Sequence, residues 1–157
     1  MMLAVLVLLV PGADAAVAIE QWTTSSGAHV LYVASGELPM LDVSVEFPAG
    51  SARDTAAQSG LASLTLRMLR TGTQQWSEDE LSRRLADVGS TLGNNFDVDR
   101  AGYSVRTLSS PAEREQALAA LAALLQEPVF PAAALEREKQ RAIAALREGE
   151  VKPDVIA

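Results

Sequence analysis

The chain has 157 residues, 20 acidic and 13 basic side chains, a formal charge of −7, one histidine and no cysteine. That length suits a single domain with a sizeable core, and the acidic balance argues against nucleic acid or an anionic membrane as a partner. The missing cysteine excludes disulfides and thiolate metal sites.

The first residues, MMLAVLVLLVPGADAAVA, carry an apolar run from Leu3 to Val10, then Pro11 and Gly12, then small residues in two Ala-x-Ala arrangements. No Lys or Arg precedes the run, yet the order predicts a signal peptide over 1–18 and export to the periplasm. The run is too short to span a bilayer, so no stable membrane anchor is expected after cleavage.

Alternating, turn-punctuated sequence then predicts strands at about 18–24, 28–34 and 41–47, with Ser26-Gly27 as a hairpin turn and Gly36 to Pro39 as the next connection. Pro48 and Gly50 stop the third strand. GLASLTLRMLRTGT, residues 60–73, reads as a helix closed through Gly72. Its apolar residues fill most of the circumference and predict burial on most sides, while Ser63, Arg67 and Arg70 form one polar stripe.

Ser77 and Glu80 make a capping box for a second helix at about 78–88, ended by Gly89. STLGNNFDVDRAGYSVRTLSS returns to strand character, with Gly93, Asn94 and Asn95 as a bulged point and a strand at about 101–108. Pro111 suits the first residue of a third helix, about 111–126. Pro128 and Pro131 separate it from a fourth, about 132–148. The order β-β-β-α-α-β-β-α-α predicts an α+β two-layer sandwich, one mostly antiparallel sheet covered by helices. The closing VKPDVIA has neither cap nor closing element and reads as a truncated end.

The residues alone reveal no catalytic set. His29 lies in a predicted strand, and one imidazole does not make a protein zinc site. Asp97 and Asp99 alternate with Phe96 and Val98, which would send both carboxylates from one sheet face as an acid and base pair; a solvent-facing strand edge explains them as well. Ser51, Ser63 and Ser77 have no second histidine to draw on, and Gly89, Gly93 and Gly102 lack phosphate-loop spacing. Glu136, Glu138 and Glu148 interleave with Arg137, Lys139, Arg141 and Arg147 as ordinary helical ion pairs.

Four blocks in order, VEFPAGSARD, GLASLTLRMLRTGT, SEDELSRRLADVGS and LEREKQRAIAAL, resemble the N-terminal half-domain of the pitrilysin/insulinase family of zinc metallopeptidases. The similarity runs from about Glu20 to the end and implies an incomplete peptidase domain over 19–157. In that family the opening helix carries H-x-x-E-H, two zinc-binding histidines and a glutamate general base.

The resemblance places Ser63 at the first histidine, Leu66 at the glutamate and Arg67 at the second histidine. It places the third ligand, a later glutamate, at or next to Ala144. With all four replaced, it implies no zinc cofactor and no catalytic residue. The family also holds peptide by strand addition, and Asn94, Asn95 and Phe96 stand in the matching segment. Asp99, Arg100 and Tyr103 fit the family pattern as sheet supports.

The implied function is a non-catalytic subunit that closes with a zinc-bearing homologous peptidase subunit around a jointly held peptide. In such subunits the substrate-holding Arg and Tyr belong to a second half beyond this sequence. Two alternatives are an active peptidase whose site lies outside the chain or is misaligned, and a gene fragment without independent function.

Overall fold

The computed structural model describes residues 18–151. The signal-peptide segment, apart from Ala18, and the terminal VKPDVIA after Val151 lie outside the described residues. The chain divides into two compact units between Leu38 and Pro39.

In the first unit β1 (Ile19–Thr23) and β2 (His29–Val33) form an antiparallel hairpin. Gly27 turns it with φ +88°, a conformation that suits glycine. The Thr24 hydroxyl accepts from the Ala28 N–H at 3.0 Å and holds the turn.

The second unit contains a three-stranded antiparallel sheet in the order β3-β5-β4: β3 (Met40–Phe47), β4 (Thr91–Phe96) and β5 (Ala101–Leu108). The strands therefore fall into two sheets, not the single sheet expected. The central β5 has Ala101, Tyr103, Val105 and Thr107 buried on one face, and this face carries the helices.

Four helices follow from their local signals. α1 (Leu61–Leu69) starts after Gly60, whose φ is +89°. α2 (Glu78–Asp87) has the complete capping box: the Ser77 N–H donates to the Glu80 carboxylate at 2.9 Å, and the Glu80 N–H donates to the Ser77 hydroxyl at 3.4 Å. α3 (Pro111–Gln126) opens on proline, which has no N–H to leave unsatisfied. α4 (Ala132–Val151) packs against α1, and α3 packs on β5.

One core joins Leu66, Leu81, Leu85, Tyr103, Val105, Ala117, Leu121 and Leu124. Small side chains at Ala117 and Ala120, both essentially without exposed surface, let α3 approach the sheet closely.

Two sequence expectations change here. Gly93, Asn94 and Asn95 are not a bulge: β4 pairs with β5 residue for residue, from Thr91 opposite Arg106 to Phe96 opposite Ala101. Opposite Gly102, which has no side chain, the Asn95 amide reaches over β5 to donate to Glu46 of β3 at 3.2 Å. Asp97 and Asp99 do not extend a strand. They sit in the β4–β5 turn, where one Asp97 oxygen accepts the Asp99 N–H at 2.8 Å and the Arg100 N–H at 2.6 Å. Those backbone donors, first Arg100 and then Asp99, hold the Asp97 carboxyl below its ordinary pKa. This is turn chemistry.

Candidate functional site

α1 packs against α4 and β5, and clefts near its two ends reach the inner row of β4. Leu92 packs on the core, so with period two Leu92, Asn94 and Phe96 share the helix-bearing face. Three observations place α1 relative to β4. Ser63 and Phe96 line one polar cleft of about 380 Å³. Tyr103, the register partner of Asn94, donates its buried hydroxyl to the Leu66 carbonyl at 2.7 Å. Arg70 and Leu92 line a third, smaller cleft of about 210 Å³. Arg67, next to Leu66, is exposed. The seven residues from Ser63 to Arg70 rise about 10.5 Å along a helix, close to the about 13 Å that four residues of strand cover.

The start of α1 is fixed to the same region. Asp54 accepts the Gly60 and Ala62 N–H groups, both at 2.9 Å, and so binds the donors that helix geometry leaves open. Its loop is attached to the β4–β5 turn through Gly50, Ser51 and Ala52, whose N–H groups donate to Asp99, Asp97 and Val98 at 3.1, 3.2 and 2.8 Å. Gly50 makes that approach feasible, since a Cβ there would lie 2.5 Å from the Arg100 nitrogen.

On its other side α1 borders an apolar cleft of about 420 Å³ with Leu61, Leu66 and Leu69 on one wall and Phe47 and Ala101 on another. The expectation that α1 is buried on most sides is therefore corrected. Only Leu66 and Met68 are buried, and Leu61 keeps 47% of its surface, because open clefts flank the helix.

Tyr103 is 2% exposed, and burial pushes its hydroxyl pKa up to about 12. Glu138 of α4 is the buried carboxylate of this region, taken by Arg141 at 2.6 Å and Arg137 at 3.4 Å. Arg137 also reaches Glu78 of α2 at 2.7 Å, a pairing between helices beyond the expected pattern along one helix.

The expected site residues are placed as follows. Ser63 is half-buried, Leu66 is buried and Arg67 is exposed on α1, and Ala144 is exposed on α4. Asn94 and Phe96 face the α1 side, whereas Asn95 projects to the opposite face with Ser44 and Glu46. His29 lies in the first unit's hairpin beside Thr23 at 3.1 Å. Among the described residues no group of three or more His, Cys, Asp or Glu side chains lies close enough to hold a metal.

The donor chemistry does not fit zinc. A serine hydroxyl, a buried leucine, a permanent guanidinium cation and an alanine methyl supply neither ligand set nor base. The chain's single histidine cannot furnish the two that H-x-x-E-H requires anywhere along its length.

Comparison with known proteins adds the family. Insulinase (peptidase family M16) matches residues 29–156, most of the sequence. The chain belongs to peptidase family M16. A solved structure described as the peptidase M16 inactive domain from Pseudomonas fluorescens is 35% identical, with a TM-score of 0.85 over 89% of this chain and 34% of that one. A protease from Helicobacter pylori, 17% identical, has the same fold, with a TM-score of 0.79 over 90% of this chain and 34% of its own. The M16 chain thus spans about a third of the length of both structures. No curated protein matches it.

The clefts beside α1 escaped sequence reasoning. The unpaired stripe Ser63, Arg67 and Arg70 was their only signal, and its place beside them needs the fold.

Proposed function

We propose that this M16 chain is a non-catalytic homologue that serves as one half-shell of an exported peptide-processing heterodimer. Its partner is a zinc-bearing homologous peptidase subunit, and the two hold a peptide jointly in the periplasm. The observation that carries the reading is the single histidine in a family whose metal site takes two. It is supported by the side chains at Ser63, Leu66, Arg67 and Ala144, which are not zinc-ligand types, on a scaffold that keeps its hydrophobic core. The relative from Pseudomonas fluorescens, described as an inactive domain, agrees with it. In this role the chain positions peptide and excludes water while the partner supplies the chemistry.

The first test is metal analysis after dialysis. Far less than one zinc per chain is expected, and about one tightly held zinc per chain overturns the reading. The second is purification from the periplasmic fraction with the zinc-bearing homologue. A complex and faster peptide hydrolysis are expected on mixing. A homologue that cleaves equally fast alone and forms no complex refutes the partner role.

A further inference from the structure

We draw no further inference here: the strongest candidate, the apolar cleft of about 420 Å³ where Leu61 and Leu69 of α1 meet Phe47 of β3 and Leu125 of α3, carries none because nothing in the structure shows what covers it.

Discussion

The two sides of β5 within the second unit are finished differently. Towards α3 the packing is closed: Val105, Ala117 and Leu124 have 1%, 0% and 0% of their surface exposed. Towards α1 the packing is open: two clefts border the nine-residue helix, a third borders the Arg70 that follows it, and Leu61 keeps 47% of its surface. Both sides meet the same strand, so the difference lies in what each helix is for. α3 supplies cohesion, with alanines that bring it close and leucines that fill the gaps. α1 is held by Asp54 before it and by the buried Thr71 and Gly72 after it, and between them by Leu66, Met68 and the Tyr103 hydrogen bond, while Leu61 stays open to solvent.

The sharpest way to break this contrast is truncation on both sides. Leu124→Ala is expected to cost about 3 kcal/mol through lost burial and a cavity, whereas Leu61→Ala stays within about 0.5 kcal/mol; urea denaturation of both variants measures it. Similar losses would show that α1 is as firmly packed as α3.

Tyr103 lies where the two sides meet. Tyr103→Phe is expected to cost about 1 kcal/mol by removing the hydrogen bond to Leu66. The hydroxyl's folded pKa is raised from its ordinary 10 to about 12, so its contribution is full below pH 10 and is lost as the pH rises towards 12. Urea midpoints at pH 8 and pH 11 should therefore differ more for the native chain than for the Phe variant.

The smallest effect is at α2, where Ser77→Ala is expected to lower stability by about 1 kcal/mol or less through loss of the cap. The Ser77 backbone and side-chain donors, in that order, hold the Glu80 carboxyl below its ordinary pKa. That contribution is present at neutral pH and lost as the pH falls through the acid range, so the native and variant stabilities should converge in acid.

Sequence signals located the helices well because their ends are written in local chemistry. Ser77 with Glu80, Pro111 and the left-handed Gly72 and Gly89 act within a few residues. β4 was harder to read: Gly93, Asn94 and Asn95 have poor strand propensity, and it is pairing with β5 that makes them regular. Asp97 and Asp99 look like strand residues until the Arg100 N–H closes the turn. What the sequence itself makes legible is that one histidine cannot supply the two of H-x-x-E-H; the four positions Ser63, Leu66, Arg67 and Ala144 come from the family resemblance. The clefts were not legible, because they form only where the fold brings Ser63 near Phe96 and Arg70 near Leu92.

The hydrogen bonds from Gly50, Ser51 and Ala52 to the β4–β5 turn have a mechanical consequence. The turn, the Asp54 loop and the first residues of α1 are bound into one block, so the gap between Ser63 and Phe96 is set by a short chain of backbone bonds. Such a jaw has a fixed gauge. The rigidity comes from main-chain bonds and so does not depend on which side chains line the cleft.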